Sequence, residues 1–557
     1  MNLEKRTVRN KVWWIAGAIL LPLLLFLALG AQDQVVSYSV FKVPAVSAYY
    51  FIYYAEKWFG VFHLFLTAAA ILVAIVIAVR ISDRSLYEGA LLRIFFGTAS
   101  VWLCYLAVVV RIGDMESVNS VRVFLQILTT LWWIAVVIDG TGWICGHVLK
   151  KETVEKKDDW KWLFSVLLVV LFITWLMLAW SGKYVYPQGD DFEYGANSHL
   201  AWVHGKGVLG AFGGACKTVA DAFGSWQGTF SSIFLMALQP GIWGEQYYHL
   251  TPALLSGLLS IAVLIFSYQF FHTLFGAGKK GAGILGCLLA ILALQLAPAK
   301  VSAFYWWNGG IHYTGAFSFL LLFTAFLIHA IVGKEKRVLY SVLAAWMAVM
   351  VGGGNLVTAL IGNVVTGYVI LILLWIKRKD LLKYLALPGV ITLAGYCFLS
   401  AMYAPQLFAL GQWGTGRIEN IMYDMFLILT VVLEFYWIGW IQKKQKLCWN
   451  ADSHLKWYGF CTGMTVLCFL LVSLASPKEI TSAAIVNAVR SGEARAYADI
   501  IEQNIETIKN SDEALILIQE PPKTPELFTT DEIEAWRFGT AEYYGKNKIR
   551  YYEELDK

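Results

Sequence analysis

Uninterrupted apolar runs of roughly 18 or more residues recur along this chain, each long enough to cross a hydrocarbon core as a helix. That feature removes most of fold space at once. Inside lipid only helices and closed barrels satisfy their backbone polar groups, and barrel strands alternate apolar with polar residues. The runs here are continuous, so helices are expected. The chain has 557 residues, of which 58% are hydrophobic and 15% charged, a balance too apolar for a soluble protein of several domains. Spans are expected near 13–29, 58–79, 90–110, 121–147, 161–180, 250–274, 281–298, 314–333, 338–353, 356–376, 382–402, 420–441 and 457–475. The expected fold is all-α and polytopic, with about thirteen transmembrane helices.

The basic residues test that count. Arg80 and Arg84, Lys150, Lys151, Lys156 and Lys157, Lys279 and Lys280, Lys334, Lys336 and Arg337, Lys377, Arg378 and Lys379, and Lys443, Lys444 and Lys446 all lie in inter-span loops. An alternating count puts every one of them on the side of the basic N-terminus, which the positive-inside rule makes the cytoplasm. A cell-membrane location follows, with segments 181–249, 299–313, 403–419 and the tail from Pro477 extracytoplasmic. The net charge of +5 sits in these short loops, so it reads as orientation rather than a nucleic-acid surface. The eight cysteines have no paired spacing, and most lie inside apolar runs, so neither a disulfide framework nor a zinc site is expected.

The charged loop 149–160 divides the chain. Residues 1–150 form a four-span accessory module, in which Arg93 and Asp139 read as a structural pair or span-end charges. Residues 160–476 form the core, with the large outer loop 181–249, and 477–557 form a small α/β tail outside the membrane. In the tail, ITSAAIVNAVRSGEARAYADIIEQNIETIKN reads as one amphipathic helix, because Ile485, Val489, Ala496, Ile500, Ile501, Ile505 and Ile508 recur near a 3.6-residue period. A short strand, ALILI, follows it.

The outer segments carry the candidate chemistry. Asp190 and Asp191 stand side by side in YPQGDDFEYG. Three roles are open to them. One carboxylate can act as a general base on an acceptor hydroxyl, with repulsion between the two raising the pKa of one of them. The pair can hold magnesium or manganese. Or one Asp caps the following helix while the other is solvated. Short interfacial helices are expected from about Asp191 to His204 and from about Gly214 to Trp226. The segment AFYWWNGGIHYTGAF at 303–317 reads either as a re-entrant turn lining a cavity or as an aromatic belt with a glycine turn. In the third segment Arg417 is the one strong cation, placed either to clamp a phosphate bidentately or to anchor the span at the interface. Candidate substrate-binding residues are Lys183, Glu193, His199, Trp226 and Gln227 from the first segment, Trp307, Asn308, His312 and Tyr313 from the second, and Arg417. Gly352–Gly354 with Asn355 marks a further irregular span end, and Glu434 a charge within a span. The sequence holds no zinc signature, nucleotide loop or serine-nucleophile elbow.

The ordered set DDF (190–192), WQGTF (226–230), FYWWNGGIHYTGA (304–316), SGEARAYA (491–498) and AEYYGKNKI (541–549) resembles a bacterial family of multi-spanning membrane proteins of uncharacterised function. That family is in turn similar to class C glycosyltransferases, the GT-C fold. The resemblance covers roughly 400 residues from Trp160 onward and leaves the first four spans outside it. It implies a polyprenyl-phosphate sugar as donor, an envelope glycan or lipid as acceptor on the outer face, and Asp190 or Asp191 as catalytic base. The family's Ala-Pro-Gly-Asn stretch before its arginine is altered here, where Gln406 and Leu407 follow Ala404 and Pro405 and Arg417 lies farther on. The competing expectations are a lipid or solute transporter or flippase, which would place ionisable groups at mid-membrane with internal repeats, and a scaffold for envelope assembly.

Overall fold

The computed structural model describes residues 161–225, 228–375, 388–402, 416–445, 473–474, 477–529 and 539–552. The spans expected near 13–29, 58–79, 90–110 and 121–147 lie outside these residues, as do all of 457–475 but residues 473–474, and Arg93, Asp139, Trp226 and Gln227. The described residues are mostly helical. Three stretches among them are long and apolar enough to cross a membrane: Trp162–Tyr184, Glu245–Leu274 and Trp307–Val332.

The chain divides into two compact units. One comprises Lys157–Lys379, Pro405–Leu427 and Ser473–Lys557. The other includes, among described residues, the helix Pro388–Ala401 and the part of Gly416–Gln445 beyond Leu427, joined where Trp437 Nε1 donates to Thr392 Oγ1 at 3.0 Å. All the site candidates that the structure describes belong to the first unit.

That unit begins with α1 (Lys161–Ser181), which has no Gly or Pro and is apolar on every side. A helix of that kind sits in a core or in lipid. Here Val169, Phe172, Ile173 and Leu176 face outward while Leu171, Thr174 and Leu178 are buried. The outer segment then folds as α2 (Asp191–Val203), α3 (Gly207–Ser225) and α4 (Phe230–Ala237). The second of these starts seven residues before the expected Gly214. The alternation of small residues along GVLGAFGGAC lets it pack closely on α2, and a Cβ at Gly214 would stand 2.5 Å from the Asn197 carbonyl.

Next come α5 (Thr251–Ser267), extended by a π-helical end Tyr268–Leu274, and α6 (Lys279–Gln295). Pro252 opens α5 at a position whose N–H has no intrahelical partner anyway. The segment 303–317 is no re-entrant turn. It is a π-helical turn Val301–Tyr305, a break at extended Trp306, and then one continuous stretch Trp307–Val332, whose last part is α7 (Ala316–Val332). The glycines that suggested a turn serve close packing instead, since a Cβ on Gly310 would fall 2.2 Å from Leu255 Cδ1. The irregular end at Gly352–Gly354 is real. There α8 (Arg337–Gly352) gives way to α9 (Leu356–Trp375), and Asn355 Oδ1 accepts from Thr358 N at 2.9 Å.

α5 packs on α1, α6 and α7, burying Leu255, Leu259, Val263 and Phe266 with Leu289, Leu294, Phe317 and Leu320. The stretches Glu245–Leu274 and Trp307–Val332 run parallel. At their starts Trp307 N donates to Tyr248 Oη at 2.9 Å, and at their ends His329 Nδ1 donates to Gln269 Oε1 at 3.0 Å. The aspartates and the basic turns at Lys279–Lys280 and Lys334–Arg337 therefore stand at opposite ends of this pair.

The tail belongs to the same unit. Its helical segment is two helices rather than one, Thr481–Arg490 and Glu493–Asn510, because Gly492 takes φ 84° and turns the chain. The expected strand forms at Ile516–Ile518 and pairs in parallel with Ile549–Tyr551.

Candidate active site around Asp190

The two adjacent aspartates have opposite environments. Asp191 is fully buried, and each carboxylate oxygen meets a donor. Its Oδ2 accepts from Gln188 N at 3.1 Å and from the Tyr248 hydroxyl, and its Oδ1 accepts from Asn308 N at 3.1 Å. Tyr248 Oη in turn accepts from Trp307 N. The first N–H groups of Trp307–Val332 have no partner inside their own helix, and here Tyr248 and Asp191 satisfy two of them from elsewhere in the chain. Asp191 is thus a helix cap supplied across 117 residues. Gln239 Nε2 also donates to its backbone carbonyl at 2.5 Å. Burial pushes the Asp191 carboxyl well above the ordinary carboxylate range, followed by the charge of Asp190, against the pull of its three donors.

Asp190 holds the N-cap position of α2, yet its side chain makes no capping bond. The local cap expected for one of the pair is absent because both carboxylates turn toward Asn308. Asp190 Oδ1 accepts from Asn308 Nδ2 at 3.0 Å, and no bond reaches its Oδ2 among the described residues. The residue is partly exposed, so the reading of one solvated aspartate falls on Asp190 in part and on Asp191 not at all. Burial raises the Asp190 carboxyl to about 6, while the Asn308 bond and then the Arg417 charge pull it down.

Arg417 approaches from the start of helix Gly416–Gln445. Its guanidinium lies 4.4 Å from the centre of the Trp306 ring, a cation–π contact. The Asn420 side chain holds that helix start in place, donating to Ala299 O and accepting from Ala299 N, both at 3.0 Å. Arg417 is within electrostatic reach of Asp190, His312 and Tyr313. Three buried polar atoms here have no hydrogen-bond partner among the described residues: Arg417 Nε, Trp306 Nε1 and Asn308 Oδ1. Unsatisfied buried polar groups are costly, and a cluster of them beside a carboxylate marks a place built to be completed by something else.

The structure thus gathers Asp190, Asp191, Trp307, Asn308, His312, Tyr313 and Arg417. His312 Nδ1 contacts Ser232 Oγ at 2.9 Å, its carbonyl accepts from Asn355 Nδ2 at 2.6 Å, and its ring meets Tyr313 edge-on. Trp307 Nε1 donates to Leu235 O at 2.9 Å. Lys183 and His199 go elsewhere, and Glu193 reaches Asp190 through its charge alone. The Lys183 ammonium lies over the Trp180 and Tyr184 rings. His199 stacks on Tyr543 of the tail at 3.9 Å and bonds Ile242 O, and burial lowers its pKa. Glu193 is exposed, with its backbone against Gly539. The cation role fits poorly. Asp191 is saturated by donors, which leaves one Asp190 oxygen, and no group of three or more His, Cys, Asp or Glu residues is gathered among the described residues.

Tyr248, Gln188, Gln239 and Trp306 were not among the sequence candidates. The only signal for them was proximity, since Gln188 lies in the same YPQGDD motif and Tyr248 in the aromatic run that closes the outer segment. No family model, curated protein or solved structure matches the chain.

Proposed function

We propose that this protein is a polytopic glycosyltransferase of GT-C-like architecture, with about thirteen spans. It would move a sugar from a polyprenyl-phosphate carrier to an envelope acceptor on the extracytoplasmic face of the cell membrane. The observation that carries this reading is Asp190, a half-engaged carboxylate within electrostatic reach of Arg417, whose buried Nε has no hydrogen-bond partner among the described residues. The acceptor oxygen attacks the anomeric carbon, and Asp190 takes the hydroxyl proton through Oδ2. The bond from that carbon to the phosphate oxygen breaks, and polyprenyl phosphate leaves with the bonding pair, its charge met by Arg417. The separation of the aspartates from the basic turns supports the outer-face placement, where nucleotide sugars are absent and a lipid-linked donor is the natural source. The first four spans are read as an accessory module.

The decisive experiment incubates the purified chain in proteoliposomes with a panel of polyprenyl-phosphate sugars. Acceptor-dependent release of polyprenyl phosphate is expected. Lipid scrambling or solute uptake without release would establish a transporter instead. Two further outcomes follow. Arg417→Ala should raise the KM for the donor about 10- to 100-fold, the worth of one charged hydrogen bond, with Arg417→Lys in between. An unchanged KM in both variants removes Arg417 from phosphate binding. The base works only when ionised, so kcat/KM should fall as pH drops, with an acid limb centred at about 6. A limb at the ordinary Asp value would show that the carboxylate titrating there is a solvated one.

A further inference from the structure

The outward face of α3 is apolar, although the helix lies in a segment that connects spans. Leu209, Phe212 and Phe223 are 86%, 43% and 61% exposed. Gly213, Cys216 and Ala220 are exposed beside them. At about 100° per residue these six positions form one stripe along the whole helix. The opposite stripe, Ala211, Ala215 and Thr218, is buried against α2 and α4. Lys217 and Asp221 fall together on one flank, and Lys217 Nζ reaches back to Asn197 Oδ1 at 3.1 Å. The stripe continues around the α2–α3 corner through Val208, Val203 and Trp202. From Tyr194 to Ala220 there is no carboxylate side chain, and the charged groups are Lys206 and Lys217.

We propose that this stripe and corner lie in the leaflet at the aspartate end of the unit, at the boundary between headgroups and acyl chains. The residues identify the occupant. A helix with a packed face, an apolar outward face and a charged flank is the pattern of one lying in the membrane interface. A tryptophan and lysines at the corner, with no acidic group, suit that depth and an anionic lipid surface. The same leaflet would then hold α2 by its far end while its first turn presents Asp190. The inference rests on membrane embedding and not on sugar transfer.

Cys216 sits mid-stripe and is exposed, so it is a native reporter. The test places an environment-sensitive dye there, in the full chain with its other cysteines replaced, in vesicles of phosphatidylethanolamine and phosphatidylglycerol. Gly213→Cys in the same stripe is a second reporter, chosen because nothing lies within 4 Å of a Cβ at that position. References are Glu513→Cys for water and Val169→Cys, on the outward face of α1, for lipid. Both stripe probes should show several-fold weaker quenching by iodide than Glu513→Cys. They should be quenched more by nitroxides high on the lipid acyl chain than by nitroxides near its end. Iodide quenching equal to that at Glu513→Cys, with Val169→Cys protected, overturns the proposal and leaves the spans standing. If Val169→Cys is also open to iodide, membrane embedding itself fails. If protection is lost in nanodiscs holding one copy each, a second copy covers the stripe and the lipid assignment is wrong.

Discussion

Asp190→Asn is expected to leave the protein folded and inserted while lowering release of polyprenyl phosphate by about 10²- to 10⁴-fold, the usual worth of a positioned base. The expectation comes from what the side chain does and does not hold. Among the described residues, Asn308 Nδ2 is the side-chain donor to its carboxylate, and an asparagine oxygen accepts the same bond. The substitution also removes a charge that burial disfavours, so the fold gains nothing from the ionised form. What asparagine lacks is the capacity to accept a proton. Release assays beside a thermal melt and size-exclusion profile measure both sides of the claim. Full activity in Asp190→Asn would end its role as base, and loss of the folded species would reassign it to structure.

Asp191→Ala is expected to do the reverse, with a large loss of folded protein. Removing the carboxylate strands Gln188 N, Asn308 N and the Tyr248 hydroxyl in a dry interior. Each unsatisfied donor costs about 1–3 kcal/mol, and three together rival the whole stability margin of a typical domain. Asp191→Asn keeps one oxygen and should fall between wild type and alanine. Melting temperature in a mild detergent should follow wild type, then Asn, then Ala. An Asp191→Ala protein that melts like wild type would disprove the cap across the chain. The pair therefore separates cleanly, one variant losing chemistry and the other losing the fold.

The helices were legible because lipid demands continuous apolar runs, and α2 begins at Asp191 as read from DDF. The tail's apolar period reads as one helix straight through Gly492, whose left-handed conformation ends the first of two. The glycines at 309 and 310 misled in the opposite direction. They read as a turn, and close packing is the reason for them, Gly310 against Leu255 of α5 and Gly309 against the Trp306 ring. The division of labour between Asp190 and Asp191 had no local signal. It depends on which carboxylate faces Tyr248, a residue 57 positions away. The placement of Arg417 likewise depends on Trp306, and only the packed structure brings the two together. His199 looked like a ligand for want of the tyrosine it stacks on, which lies more than 300 residues later.

The tail sets a schedule for biogenesis. Tyr186 donates to Glu502 across 316 residues, Gln188 to the Phe528 carbonyl across 340, and Tyr543 to the Gly241 carbonyl across 302. A ribosome that has delivered Asp190 and Asp191, and most of the helices described here, has still not made the floor on which Gln188 and α2 rest. Contacts of such separation form late. The acidic pair is therefore present before its seat is, and the tail is what supplies that seat. A chain cut short before Phe528 would carry both aspartates while Gln188 lacks the carbonyl it bonds.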